Sequence, residues 1–481
     1  MKHRFNFLTL LLVLFTIPAG IFARESKFTK RGSGPLFWNM YQYNFRYGTS
    51  MPEDVWKKNI DWLAEEFLPY GYDMAATDGW LFNLNSIDQY GYLTKYDSSW
   101  TYGLKYWGDY LKSKGMRFGF YFNPLWVPKA AYVQNNNIKG TSIPITDVVG
   151  TTKFEDHLYW IDTDKPGAEQ WVKGCIRTMI DQGIELLKID FLGYYERDYG
   201  TNRYIKALKW MAEEAGDEML LSYSVPNCRN DARNEIIYAD MIRISTDCDG
   251  GGWWFISDKE RGQVNESGQG DKYRSAFDGL IGWADIIGVK GQTIMDPDFV
   301  QLNTLASDAE REFHISMLLV SGSPIGITDQ YNTIGDCAKF YKNTEMLELN
   351  KLGFVGKPLS TSIWDKQNSS RWIGQLPDGD WIVGLFNRES TVLEYGIDFE
   401  KELGIKGGKV KNVRDLWLHQ DLGAMSGRYS VRLEPHSCKV LRIKPNSKRY
   451  KAAVASLRNG AVINSCLLYT SPSPRDMRRS R

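Results

Sequence analysis

Leu187-Lys188-Ile189-Asp190-Phe191 closes an apolar run that begins at Ile184. A short aliphatic segment that ends abruptly in Lys and Asp reads as a buried strand delivering a charged pair to a rim. Taken alone, Asp190 has an ordinary explanation as a salt-bridged strand end, because a buried charge is costly unless it is paired. Repetition argues for more, since the apolar runs 72–78, 116–123 and 241–247 end in the same way.

Working outward from that strand, strand-like and helical runs alternate from residue 34 to about 350. Ser50 and Glu53 have capping-box spacing, and Trp56, Ile60, Leu63 and Phe67 then recur on one helical face. After the strand candidate 72–78, a second helix aligns Leu104, Trp107 and Leu111 and stops at Gly115, where a left-handed cap costs glycine little. Run 116–123 follows as a strand. Asp164 is placed to cap a third helix that turns Val172, Cys175, Ile176, Met179 and Ile180 inward and closes at Gly183. A helix over 204–215 leads to strand 219–225, and a short one over 235–240 leads to strand 241–247.

Strand followed by helix, at least five times over roughly 300 residues, favours a parallel α/β architecture. A closed (β/α)8 TIM barrel over 32–350 fits better than an open sheet. Polar residues stand at the carboxyl end of run after run, where barrel enzymes keep their chemistry, whereas an open sheet concentrates its site at one switch point. After residue 350 the period changes. Runs 372–376, 380–386, 410–416 and 429–443 are short, alternating and broken by Gly, Asp and Asn, which predicts a C-terminal antiparallel β-domain over 358–445. Gly353, Gly356 and Pro358 mark the boundary, over 351–360.

Composition removes several function classes. The 481 residues are 43% hydrophobic and 24% charged with a net charge of +1, which gives no electrostatic case for nucleic acid or an anionic membrane. The 17 Trp and 27 Tyr suit surfaces that stack on sugar rings and suit a packed core equally well. Glycine-rich nucleotide motifs are missing from the sequence. With only five His and no pair at ligand spacing, a zinc site is not expected.

Residues 1–23 carry Lys2, His3 and Arg4, an apolar stretch 7–17, and small residues before Ala23. This is the layout of a signal peptide cleaved after Ala23, too short for a membrane span, and it predicts export to the periplasm or beyond. Of six Cys, Cys175 lies on the apolar stripe of a helix and reads as a buried thiol, while Cys228 and Cys248 follow successive strands and form a candidate bridge. Residues 466–481 read like a translated sequencing-library adapter, so that tail, with Cys466, is left out of the fold and function.

Weighed together, the strand-end carboxylates suit glycoside hydrolysis. One carboxylate attacks or stabilises the anomeric carbon while another carboxyl protonates the leaving oxygen, about 5 to 5.5 Å away in retaining enzymes. Asp190, with Lys188 beside it to favour ionisation, suits the nucleophile. Asp247, four residues beyond Arg243, is the natural acid and later base.

Six segments, in order, resemble the family-27 glycoside hydrolases, the α-galactosidase group of clan D. They are Trp38-Asn39-Met40-Tyr41, Lys114 through Tyr121 (KGMRFGFY), Leu187-Lys188-Ile189-Asp190, Arg243 through Asp247 (RISTD), Met295-Asp296-Pro297-Asp298 and Arg414-Asp415-Leu416-Trp417. The resemblance implies a barrel with a C-terminal antiparallel domain and a retaining double displacement without metal or cofactor. It makes Asp190 the nucleophile and Asp247 the acid/base. Lys188 and Arg243 would bind sugar hydroxyls, and Tyr121 would line the pocket. The substrate is expected to be a carbohydrate carrying a terminal α-D-galactosyl or stereochemically related residue.

Two departures bear on specificity. The family's Asp-Asp-Cys-Trp stands here as Thr77-Asp78-Gly79-Trp80. Asp78 keeps the carboxylate expected at the axial 4-hydroxyl, but Thr77 replaces the one expected at the 6-hydroxyl. Losing a charged acceptor there costs galactose roughly 1.5 to 3 kcal/mol, and costs a pentopyranose such as β-L-arabinopyranose nothing. At the fifth strand end, Val225-Pro226-Asn227-Cys228 departs from the family's pattern, so Asn227 is the candidate reader of the 2-substituent and leaves hydroxyl or acetamido open. Trp253, Trp254 and Trp283 are candidates for outer subsites. β-L-Arabinopyranosidase and α-N-acetylgalactosaminidase are therefore alternatives on the same scaffold, followed by a transglycosylase or a silent sugar-binding protein. Aglycone and oligomeric state are not set by the sequence.

Overall fold

The computed structural model describes residues 34–224, 232–265, 271–285 and 293–446. The leader-like segment 1–23, Asn227, Cys228 and the tail 466–481 lie outside the described residues. Strands β1 (Leu36–Asn39), β2 (Met74–Ala76) and β3 (Arg117–Tyr121) are followed by a small antiparallel excursion of β4 (Trp126–Pro128), β5 (Val149–Glu155) and β6 (Leu158–Ile161). The chain then returns through β7 (Ile184–Ile189), β8 (Leu220–Tyr223), β9 (Met241–Arg243), β10 (Ile294–Asp296) and β11 (Ile325–Ile327).

Eight of these strands form one parallel sheet in the order β10-β9-β8-β7-β3-β2-β1-β11. Val300, just after β10, makes a parallel bridge to Ile327 of β11: its amide donates to the Gly326 carbonyl at 2.8 Å, and its carbonyl accepts from Thr328 at 3.0 Å. That pairing joins the two edges, and the sheet is the expected TIM barrel. Close approach of β2 and β3 needs Gly119, where an added Cβ would lie 2.7 Å from that of Ala76.

The helices bury the faces their periodicity predicts. Helix Glu53–Glu66 buries Trp56, Ile60 and Leu63, helix Leu104–Ser113 buries Leu104, Trp107 and Leu111, and helix Ala168–Asp181 buries Val172, Cys175, Ile176 and Met179. Two expected caps are corrected. Pro52 precedes the first of these helices without a side-chain cap, because Ser50 donates to the Trp80 carbonyl and Glu53 accepts the amides of Thr101 and Tyr102. Gly167 rather than Asp164 precedes the third, since Asp164 pairs with Arg203 and Lys206.

The C-terminal region holds β12 (Lys357–Pro358), β13 (Arg371–Gln375), β14 (Trp381–Phe386), β15 (Leu393–Asp398), β16 (Lys409–Asp415), β17 (Gln420–Ser426), β18 (Arg428–Leu433) and β19 (Cys438–Pro445). A six-stranded sheet β12-β13-β14-β19-β16-β17 and the pair β15-β18 enclose a core that includes Val383, Leu385, Ile397, Val413, Leu441 and Ile443. Run 429–443 is thus two strands, and β15 and β17 join those read from the sequence. Part of the boundary segment is itself strand, with Lys357 opposite Ile373.

Aromatic packing fastens this sandwich to the barrel: Phe386 lies 5.5 Å from Phe277 and 5.1 Å from Phe313. Arg414 grips Glu345 with two bonds of 2.8 and 2.6 Å, and the Trp417 indole donates to Ser316 at 2.7 Å. The Arg414-Asp415-Leu416-Trp417 motif therefore serves the attachment of the two regions. None of the helices among the described residues is long and apolar enough to cross a membrane.

Candidate active site

Every barrel strand delivers a polar residue at its carboxyl end: Asn39, Asp78, Asn123, Asp190, Ser224, Arg243, Asp298 and Asp329 stand at or just beyond β1, β2, β3, β7, β8, β9, β10 and β11. Asp190 is partly buried and held from three sides. The Tyr121 hydroxyl donates to its Oδ2 at 3.1 Å, the Phe191 amide to its Oδ1 at 2.8 Å, and the Asn123 side chain to its carbonyl at 2.7 Å. The bond from Phe191 is made as the backbone bends into the left-handed region at that residue, φ 60, where a bulky side chain is rare.

Lys188 reaches past β3 to the end of β2, its Nζ 3.0 Å from Asp78 Oδ2, which also accepts the Asn39 amide group at 2.7 Å. The same ammonium lies 4.3 Å from the centre of the Phe299 ring. Burial works against its charge, but Asp78, Asp190 and Asp298 outweigh that and hold its pKa above the usual lysine value.

On the opposite side of β8, Arg243 is 2% exposed and is shared by two carboxylates. One of its nitrogens lies 2.8 Å from Asp247 Oδ1 and 2.6 Å from Asp298 Oδ2. More than half of the Asp247 side-chain surface, 57%, meets solvent, whereas that of Asp298 is 2% exposed.

Asp190 and Asp247 feel each other's charge across this rim. Burial raises the Asp190 pKa above the ordinary carboxylate value, Lys188 opposes the rise, and Asp247 adds to it. Around Asp247, burial on the pocket side also pushes upward, but Arg243 and Lys188 override it and leave the carboxyl below its ordinary value. A third carboxyl, Asp271, is pushed up to about 6 by burial and senses both of them. The carboxyl expected as nucleophile therefore holds its proton more tightly than the one expected as acid.

Two cavities border the constellation. One, partly open to solvent, lies beside the segment after Asp247 and is lined by Ser245, Cys248, Phe255, Gln301 and His314 among others. The other is small and borders Lys188, lined by Thr77, Ser222, Asp296 and Phe299 among others. Neither is lined by Asp190 or Asp247.

Comparison with known proteins fits this geometry. Residues 366–443 match the α-galactosidase C-terminal β-sandwich domain. The isomalto-dextranase of Arthrobacter globiformis is 39% identical over 93% of this chain and 74% of its own length. The chain belongs to the α-galactosidase-like glycoside hydrolases that include isomalto-dextranase. A structure of the Arthrobacter globiformis T6 isomalto-dextranase complexed with panose superimposes on this hydrolase with a TM-score of 0.83, covering 88% of this chain and 74% of that one. The β-L-arabinopyranosidase of Geobacillus stearothermophilus, 19% identical, shares the fold, with a TM-score of 0.69 over 87% of this chain and 97% of its own.

Of the residues singled out in the sequence, Asp78, Tyr121, Lys188, Asp190, Arg243 and Asp247 gather at this rim of the hydrolase. Thr77 does not join them, because its hydroxyl accepts the Tyr121 amide at 3.1 Å and its side chain is buried toward the barrel interior. The expected Cys228–Cys248 bridge gains no support, since Cys248 is a free thiol approached by the Gln301 amide group, and Cys228 is outside the described residues. Trp253 stacks on His436 and Trp283 is buried, which removes both as outer subsites and leaves Trp254, 55% exposed. Sequence reasoning missed Asn39, Asn123 and Asp298 as site residues. Asn39 and Asp298 lie inside motifs already recognised, and Asn123 ends a run already read as a strand. Among the described residues no cluster of His, Cys, Asp or Glu is arranged to hold a metal.

Proposed function

We propose that this hydrolase is a retaining exo-glycosidase acting on α-linked glucan of the dextran type, a reading supported by its likeness to the Arthrobacter globiformis protein named isomalto-dextranase. The observation that carries the reading is the 39% identity spread over 93% of the chain, against 26% over 32% for the α-galactosidase of Cyamopsis tetragonoloba. Dextran is an α-1,6-linked glucose polymer, so its sugars present an equatorial 4-hydroxyl and offer nothing for a carboxylate placed against an axial one. In this reading Asp190 attacks the anomeric carbon to give a glycosyl-enzyme while Asp247 protonates the departing oxygen, and Asp247 then takes a proton from the water that releases the sugar.

Removal of a terminal α-D-galactosyl residue is the second reading, favoured by the Asp78–Lys188 pair at the position the galactosidase motif gives it. A panel of dextran, isomalto-oligosaccharides and aryl α-galactosides, β-L-arabinopyranosides and α-N-acetylgalactosaminides separates the two. Release of short α-1,6 gluco-oligosaccharides with retained anomeric configuration, followed by NMR, is the expected result. Faster turnover of the galactoside than of dextran reverses the order of the readings. Export, suggested by residues 1–23, suits a polymeric substrate and is tested by recovering activity from the culture medium or periplasm.

A further inference from the structure

The charges around position 247 pose a problem for any acid placed there. Arg243 sits against that carboxylate and favours its charged form, yet an acid must arrive protonated. The answer lies in the second partner of the same guanidinium.

Asp298 uses one oxygen, Oδ2, for two contacts: the Arg243 nitrogen at 2.6 Å and the amide of Cys248 at 2.6 Å, next in sequence to Asp247. Its own backbone is held in the left-handed region, φ 79, with its amide donating to Asp296 at 2.9 Å, and its second oxygen, Oδ1, is buried without a partner. Such a conformation persists only when the surroundings impose it. Arg243 thus keeps a fixed, fully buried partner whether or not the exposed Asp247 stays.

Resting on the proposed roles of Asp190 and Asp247, we infer that Asp298 is the positioning residue of the acid/base: it retains Arg243 and anchors the Cys248 amide, so that Asp247 can leave the guanidinium and turn, protonated, toward the leaving oxygen. Other charged groups face Asp247 too. Lys188 and Asp190 act from the end of β7, Lys259 and Asp249 from the segment that follows Asp247, and Asp271 from the stretch beyond it. Tyr41 and Tyr121 approach from the ends of β1 and β3. Among the described residues Arg243 touches both carboxylates, and Asp298 and Asp247 also repel each other directly. Burial pushes the Asp298 pKa up to about 7 against the pull of Arg243, so the charge of Asp298 bears on Asp247 both through the guanidinium and across the short gap between them.

The test is Asp298→Asn, which keeps the shape, can still accept from the Cys248 amide, and tolerates a left-handed backbone. With the negative charge gone, the whole of Arg243 falls on Asp247 and its proton is held less tightly. The alkaline limb of kcat/KM, where the acid loses its proton, is expected to move down by about one pH unit. Hydrolysis of a substrate with a poor leaving group is expected to fall about 10- to 100-fold. An activated dinitrophenyl glycoside, whose departure needs no proton, should lose less than about 3-fold by the same reasoning. Equal losses on both substrates, or an unmoved alkaline limb, would overturn the proposal. If Asp298→Asn does not fold, Asp298→Ser, also neutral, takes its place with the same expectations. Asp247→Ala run alongside separates the two levels of the argument: it should show the same leaving-group selectivity more strongly, and if it does not, the acid assignment itself falls and this inference with it.

Discussion

The carboxyl end of the barrel and the C-terminal sandwich are built on opposite terms. At the barrel mouth, Ser224 Oγ, Arg243 Nε, Ser245 Oγ and Asp298 Oδ1 are buried without partners, and Trp80, Phe191, Asp249 and Asp298 hold positive φ. In the sandwich Lys439 pairs with Asp415 at 2.5 Å and Arg442 with Asp380 at 2.7 Å, and among its described residues the buried side-chain atoms without partners are Arg371 Nε and Trp381 Nε1. Its positive-φ non-glycine residues, His419 and His436, lie in the turns after β16 and β18. Unsatisfied polar atoms and strained backbone destabilise a fold, and they gather where preorganised groups await a substrate. One region spends stability on chemistry, and the other supplies it.

If that contrast is right, the two regions respond differently to substitution. The largest effect belongs to Asp190→Ala, expected to cut hydrolysis on the order of 10⁴-fold or more while leaving the melting temperature within a few degrees of wild type. Activity near wild type would remove Asp190 from the chemistry. Phe386→Ala lies at the junction of the two regions, fully buried between Phe277 and Phe313. It should cost about 3 to 5 kcal/mol of stability by denaturant titration, with kcat per folded molecule unchanged.

His314 sharpens the comparison through pH. It is buried in helix Asp308–Ser321, and burial pushes its pKa down to about 3. A group with a depressed folded pKa takes up its proton first in the unfolded chain. Stability is therefore full above the ordinary histidine pKa and is lost as pH falls from about 6.5 toward 3. His314→Leu should flatten that part of the stability profile, by on the order of a few kcal/mol across the whole window, in urea titrations at several pH values. The smallest effect is assigned to Arg442→Ala in the sandwich, whose partners Asp378 and Asp380 lie 2.5 and 2.7 Å away on a partly exposed surface. It should cost less than about 1 kcal/mol and leave activity untouched. A rate loss there would tie the sandwich to catalysis.

Much of this was legible before any coordinates. Apolar runs ending in Asn, Asp, Lys or Arg marked β2, β3, β7 and β9 together with their functional end, because in a parallel barrel both faces of a strand are buried and only its carboxyl end meets the substrate. Caps were read less well. Ser50 and Asp164 have the right chemistry in the right place, and distant backbone and side-chain partners claimed them instead. The β4–β6 excursion escaped because β5 is largely exposed and polar, with no period to betray it.

The chain by itself pointed to a repeated strand-helix alternation, to the antiparallel region after it, and to Asp190 and Asp247 as strand-end carboxylates, since periodicity and strand-end chemistry are local properties of a sequence. Tertiary structure decided which groups share a charge. That Arg243 serves Asp247 and Asp298 at once, that Lys188 reaches Asp78, and that Thr77 turns away from the rim depend on distances of a few ångströms between strands far apart in sequence. Electrostatic coupling is set by such distances, and no spacing along a chain encodes them.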